Sequence, residues 1–191
     1  MKIKKTILKL PNNIQLNADV IEYTTKKDKK SLYKIYKDWK NLSDNLKTIS
    51  GRGINIPEGL SEGAFCIEMN CIKPIKFKKL KGINTSFDVY DESTFERIQV
   101  KACSVIPDLT SFGPKSIWDK IYFLDFYRNG AWDGKFDIYL IPNNLVYSQQ
   151  INATQTFSQV QSSGKRPRFS IMEKIIQAHS LTPIKTGDLT K

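Results

Sequence analysis

Two β-rich runs, Ile83–Asp91 and Phe95–Ser104, stand on either side of Glu92-Ser93-Thr94 and predict a hairpin, the feature that most limits how this chain folds. Setting Asp91 opposite Glu96 fixes every other pair, because a one-residue slip would turn each strand's faces over. In that register Asp88 faces Gln99 with Cβ atoms about 5 Å apart, and Lys101 shares the face of Gln99 roughly 7 Å further along. Ile98, Val100 and Ala102 then point to the opposite face and supply burial. A carboxylate, an amide oxygen and an ammonium group therefore converge on one patch. Asp91 has the other parity and lies at the turn, so Asp88 is the better ligand.

Before this hairpin, residues 1–27 carry weak periodicity and suit a strand or an arm. From Ser31 the apolar set Leu32, Ile35, Tyr36, Trp39, Leu42, Leu46 and Ile49 recurs at steps of three and four. That spacing predicts an amphipathic helix, stopped by Gly51-Arg52-Gly53. Pro57 and Glu58 open a second helix running to about Cys71, apolar on more than one side and hence buried. Glu62 shares a row with Phe65, Cys66 and Met69. A carboxylate on a buried helix costs several kcal/mol, as an order of magnitude, unless it is paired or holds a cation. Glu62 is thus either a candidate ligand or the partner of a lysine at the helix edge.

After the hairpin come a turn at Ser111-Phe112-Gly113-Pro114, a strand over Lys120–Tyr127, a turn over Asn129–Gly134 and a strand over Lys135–Ile141. Residues 143–170 are polar, and Ile171–His179 reads as a short closing helix. Helices followed by a mostly consecutive strand run predict one α/β or α+β domain. Within it lie an N-terminal arm (1–30), helices and sheet (31–142), a recognition segment (143–170) and a closing helix with tail (171–191). Trp118, Tyr122, Phe123, Phe126 and Trp132 are expected in the core or a dimer interface.

Charge narrows the partners. The 191 residues carry 30 Lys+Arg against 19 Asp+Glu, a formal +11, which favours a polyanion through counterion release. Lysines gather at Lys26, Lys27, Lys29, Lys30, Lys34, Lys37 and Lys40 and again at Lys73, Lys76, Lys78, Lys79 and Lys81; a plain solvated surface is the alternative. The single histidine, His179, leaves little material for a Ser-His-Asp triad or a histidine-rich metal site. Cys66, Cys71 and Cys103 lack C-x-x-C spacing and read as reduced thiols. With no apolar run long enough to span a bilayer and no signal peptide, a cytoplasmic location is expected. The Asp88 carboxylate, the Gln99 side-chain oxygen and the Val100 carbonyl are hard oxygen donors of the kind Mg²⁺ prefers. Such a patch suits phosphodiester hydrolysis, with Lys101 holding the attacking water or the phosphate. Asn152, Gln155, Gln159 and Gln161, followed by Lys165, Arg166 and Arg168, suit DNA contact, since Arg reads guanine, amides read adenine and Lys grips phosphate. Phe157 and Phe169 are expected to anchor that segment.

Four stretches carry a resemblance: Gly51–Gly63; Ser86-Phe87-Asp88 with Ile98-Gln99-Val100-Lys101-Ala102; Asp108–Lys115; and Thr154-Gln155-Thr156-Phe157 with Gly164-Lys165-Arg166-Pro167-Arg168. Together, spanning about residues 40 to 180, they resemble a small family of bacterial type II restriction endonucleases in the PD-(D/E)xK superfamily, whose known members cut the interrupted palindrome GCNGC. The resemblance implies a mixed four- to five-stranded sheet flanked by helices, Mg²⁺ dependence, homodimeric action on double-stranded DNA and a cognate DNA methyltransferase in the same system. It also implies that Asp88 is the motif's aspartate, Gln99 its D/E position, Lys101 its lysine and Glu62 the helix glutamate that adds a metal contact. Glutamine in place of an acid departs from the pattern and lowers the expected metal affinity, leaving Glu62 to supply the second carboxylate. For a GC-rich site, Arg166 and Arg168 are the expected base contacts. The other readings are a repair, junction-resolving or transposition nuclease of the same fold, and a basic nucleic-acid-binding protein without catalysis.

Overall fold

The computed structural model of the chain describes residues 1–23, 26–51, 53–78 and 82–191; Arg52, Lys79 and Lys81, singled out above, lie outside them. In chain order come β1 (Lys2–Leu10), β2 (Ile14–Glu22), α1 (Lys26–Ser50), α2 (Glu58–Met69), β3 (Ile72–Phe77), β4 (Val89–Asp91), β5 (Glu96–Cys103) and the short β6 (Thr110–Ser111). They are followed by β7 (Lys120–Asp125), β8 (Lys135–Ile141), α3 (Asn143–Ser148), α4 (Phe157–Ser162), β9 (Arg168–Phe169), a π-helical turn Met172–Gln177 and β10 (Lys185–Asp188). Eight strands make one mixed sheet in the order β1-β2-β3-β4-β5-β7-β8-β10, and β6 pairs with β9 in a sheet of two. Among the described residues, only β5 and β7 pair in parallel within the large sheet.

The helices flank this sheet, so the class is α/β, with more strands than the four or five expected. The segment read as a strand or an arm is the hairpin β1–β2 at one edge, and Lys185–Asp188, read as tail, is a strand at the other. The hairpin buries one face, with Leu8, Leu10, Leu16, Ala18 and Val20 packed on Ile72, Phe87 and Tyr90; its pattern is blurred only in β1, where Ile3 and Ile7 fall on the other face and stay exposed. Tyr90 secures it, donating its hydroxyl to the Lys9 carbonyl at 2.7 Å and accepting the Lys9 N–H at 3.0 Å.

The central strands are buried on both faces, as a parallel pair requires. On one side α1 and α2 bring Leu32, Tyr36, Trp39, Leu60 and Phe65 against Ile98, Val100, Tyr122 and Leu124. On the other, Phe112, Trp118, Phe157, Phe169 and Ile175 cover Ile121, Phe123 and Ile141. Trp118, Tyr122, Phe123 and Phe126 are core, and Trp132 is half-buried against Trp39. Gly63 permits the approach of the helices, since a Cβ there would stand 3.2 Å from Leu32 Cδ1. Helix α1 departs from its sequence reading. Its seven apolar residues span too wide an arc for one contact, so Leu32, Tyr36 and Trp39 are buried while Ile35, Leu42 and Ile49 face outward. The three cysteines are free and buried. Among the described residues, no helix is long and apolar enough to cross a membrane.

The β10 edge gives a stability test. Gly187 pairs with Phe136, and a Cβ at that position would come 2.3 Å from the Phe136 ring, which is itself stacked on Phe126 at 4.6 Å. Gly187→Ala is expected to cost about 1–3 kcal/mol through overpacking. Thermal denaturation checks this: an unchanged midpoint would mean that β10 shifts without resistance.

Candidate active site

The hairpin register is the one read from the sequence, with Val89 opposite Ile98, Tyr90 opposite Arg97 and Asp91 opposite Glu96. Asp88 keeps one more ladder bond, its N–H donating to the Ile98 carbonyl at 3.0 Å. Beyond that point the strands separate, and the next outward N–H of β5, on Val100, donates to the Asp88 carboxylate at 2.9 Å. The side-chain amide of Gln99 donates to the same oxygen. A cleft of about 380 Å³ opens at this fork. Asp88, Val100 and Lys101 line it from the sheet, Glu58, Ser61 and Glu62 from α2, Ser104, Val105, Pro107, Asp108 and Leu109 from the loop after β5, and Thr110 and Ser111 from β6. The structure therefore brings together Glu62, Asp88, Val100 and Lys101, with Gln99 buried behind Asp88.

The two acids at the fork do not ionise easily. Burial pushes the Asp88 carboxyl above its ordinary range, opposed by the Lys101 ammonium and the Val100 N–H. Burial also pushes Glu62 up, to about 7, aided by the negative charge of Asp88 and opposed by Lys73. Lys73 Nζ lies 2.5 Å from the Glu62 carboxylate, so the helix glutamate both pairs with a lysine and faces the cleft. Lys101 Nζ sits 5.4 Å above the Phe112 ring, which props it over the cleft floor.

One atom bears on a cation. Gln99 is 2 % exposed, and its Oε1 has no hydrogen-bond partner. A buried oxygen left unpaired is costly, and a divalent ion satisfies it as well as a donor does. Asp88, Glu62 and Val100 bring to the cleft oxygen donors of the kind a hard cation takes, while Gln99 Oε1 is buried behind Asp88 and would reach an ion there by a turn of the side-chain amide. Among the described residues no three His, Cys, Asp or Glu side chains cluster as a metal site, so an ion here would draw on amide and backbone oxygens as well.

The basic segment reaches this cleft through a contact the sequence did not reveal. Strand β9 pairs with β6, Phe169 opposite Thr110 and Arg168 opposite Ser111, and the Phe112 N–H donates to the Pro167 carbonyl at 3.1 Å. Ser111, read as part of a turn, is thus a strand residue on the cleft wall. Lys165, Arg166 and Arg168 are exposed beside it. Buried Asp108 holds the junction by accepting from Ile171 N–H at 3.0 Å, Met172 N–H at 3.2 Å and the Thr110 and Ser170 hydroxyls. Nothing local announced it, because Asp108 and Ser170 are far apart in the chain.

The amides sit elsewhere. Asn152 Oδ1 accepts the Thr154 and Gln155 N–H groups at 3.0 and 2.9 Å, and Asn152 Nδ2 donates to Gln155 Oε1 at 3.3 Å. Gln159 closes a capping box with Thr156 at the start of α4. Gln161 Nε2 donates to the Gly113 and Ser116 carbonyls. Their present bonds shape the segment that carries the arginines. Phe157 and Phe169 are buried against Phe112 and do anchor it.

Comparison with known proteins bears on the cleft's use. The family model described as Bsp6I restriction endonuclease matches residues 24–178, which takes in the cleft and the basic segment but omits β1, β2 and β10. The chain is 36% identical over 159 residues to "Type II restriction enzyme Bsp6I" of Bacillus sp. (strain RFL6), covering 82% of this chain and 85% of that protein. No solved structure matches.

Glu62 makes the metal-free protein sensitive to pH. The unfolded chain loses this proton near 4.5 and the folded chain near 7, so the unfolded state binds fewer protons between those values. The contribution to stability is therefore complete below about pH 4.5 and is lost as pH rises through 7. Glu62→Gln is expected to flatten this fall. Urea midpoints measured from pH 5 to pH 8 check it, about the range over which the folded carboxyl titrates; parallel profiles for the two proteins would show Glu62 ionised throughout.

Proposed function

The chain belongs to the Bsp6I restriction endonuclease family and is a type II site-specific deoxyribonuclease; from that premise we propose a Mg²⁺-dependent enzyme that cuts duplex DNA at a short GC-rich palindrome. Two copies act together, one on each strand, in the cytoplasm, alongside a methyltransferase that protects the host's sites. All 191 residues serve as one nuclease domain. The observation that carries the reading is the shared cleft of Asp88, Lys101 and Glu62, walled by the strand that pairs with Arg168.

Asp88, Glu62, Gln99 Oε1 and the Val100 carbonyl would hold the ion. When bound, Mg²⁺ neutralises charge on the scissile phosphate and makes a coordinated water more acidic. Lys101 stands on the same wall as Asp88, where its ammonium orients the attacking water or neutralises a phosphate oxygen. The elevated proton affinity of Glu62 and Asp88 favours a site that is charged fully only when a cation arrives. Lys165 grips the backbone, while Arg166 and Arg168 read guanine edges in the major groove. Asn152, Gln155 and Gln159 complete the DNA-facing segment, the last through the cap it forms on α4.

Incubation with phage DNA and Mg²⁺, followed by run-off sequencing, is the direct test: discrete fragments with one common end sequence are expected, and a smear or no cutting would refute the reading. Lys101→Ala is expected to lower cleavage by about 10²-fold or more while DNA binding in a gel shift is kept. Asp88→Ala should abolish metal-dependent cutting. Gln99→Glu places a second buried carboxylate beside Asp88, so its melting temperature should fall without Mg²⁺ and recover with it, with cleavage retained at lower Mg²⁺ than wild type needs. A Gln99→Glu protein whose melting ignores Mg²⁺ would remove that side chain from the ion's donors.

A further inference from the structure

Leu109 lines the cleft yet is 70% exposed, so it stands at the mouth. It belongs to a loop, Ser104–Ser111, that also exposes Val105 and Ile106 by 41% and 42%. The loop is not free to turn these groups inward. At its start, buried Ser104 accepts the Ile56 N–H at 3.2 Å. Near its end Asp108 is tied to Thr110, Ser170, Ile171 and Met172. Both ends of the loop adjoin charged groups suited to a polyanion: Lys101 precedes it on β5, and Arg168 pairs with Ser111 at its close. A single exposed leucine needs no explanation, but three exposed apolar side chains on a loop tied down at the mouth of a cleft make a contact surface.

We propose that Leu109 is an apolar wedge that enters the base stack of the duplex beside the linkage being cut, with Val105 and Ile106 against the neighbouring sugars. The proposal rests on the nuclease reading of the same cleft. DNA is the occupant because this apolar ridge lies between Lys101, which lines the same cleft, and Arg168, which pairs with Ser111 of that cleft, so that any other partner seated there would exclude the substrate. Phosphates satisfy the cations, while base faces and deoxyribose are the apolar parts of a duplex; leucine is among the side chains that open base steps in this way. A wedge at this position would splay the strand and present the linkage to Asp88 and Lys101, making Leu109 a positioning residue.

The test uses a 30-base-pair duplex, roughly three helical turns, containing the mapped site, with 2-aminopurine placed in turn at each position flanking the cut. The Lys101→Ala protein is used so that the duplex stays intact. A fluorescence rise of about threefold or more on binding is expected at one position, and loss of most of that rise when Leu109→Ala is added. In the protein that retains Lys101, Leu109→Ala should slow cleavage about tenfold with binding nearly unchanged, and Leu109→Met should restore both fluorescence and cutting. Equal fluorescence with and without Leu109, or full cleavage by Leu109→Ala, would overturn the wedge while leaving the nuclease reading intact. Cutting by the Lys101→Ala protein at the wild-type rate would instead overturn the site reading on which the wedge rests.

Discussion

The hydrogen bond from the Val100 N–H to the Asp88 carboxylate is the contact on which the site's architecture depends. A β-ladder normally uses every N–H of a strand on its neighbour, leaving none for a side chain. Here β4 ends after three paired residues, and the strand that follows the turn runs on without it. The freed N–H needs a partner, and a carboxylate one step back along the departing chain supplies it. That exchange fixes the acid at a strand edge and opens a wedge-shaped gap. Helix α2 closes the gap on one side, bringing Glu62 to face Asp88 across it.

The same arrangement stores electrostatic tension. Two carboxylates share a partly dry cleft; burial raises both, and the negative charge of Asp88 raises Glu62 further. Lys73 on β3 and Lys101 on β5 relieve this without cancelling it. Gln99 fits that balance: an acid at its place would set a third negative charge against Asp88 inside the core, whereas an amide donates a hydrogen bond to it. The glutamine thereby makes the metal-free fold easier to sustain, at the expense of charge toward a cation.

The basic run and the cleft are joined by a very small element. Two residues of β6 pair with two of β9, and Asp108 locks the crossing from inside. Ser111 lines the cleft and its pairing partner Arg168 belongs to the basic run, so one strand pairing separates the two. The aromatic cluster of Phe112, Phe157 and Phe169 beneath it gives the junction a rigid base. An enzyme that must cut only after reading a sequence gains from so short a mechanical path between the two.

Local pattern decided much of this protein. The Asp88–Gln99–Lys101 face followed from strand alternation and one turn, and the burial of α2 with Glu62 followed from an apolar row, because both depend on neighbours within a dozen residues. The edge hairpin β1–β2 was only half legible, since β2 alternates its buried Leu16, Ala18 and Val20 but the apolar residues of β1, exposed Ile3 and Ile7 and buried Leu8 and Leu10, fall on both faces. What tertiary structure alone decided was which distant pieces meet: Lys73 at Glu62, Asp108 at Ser170, Arg168 beside the cleft, and the outward half of the α1 apolar set. Those meetings arise from packing and from hydrogen-bond satisfaction across the folded chain, and neither leaves a periodic mark on the residues that take part.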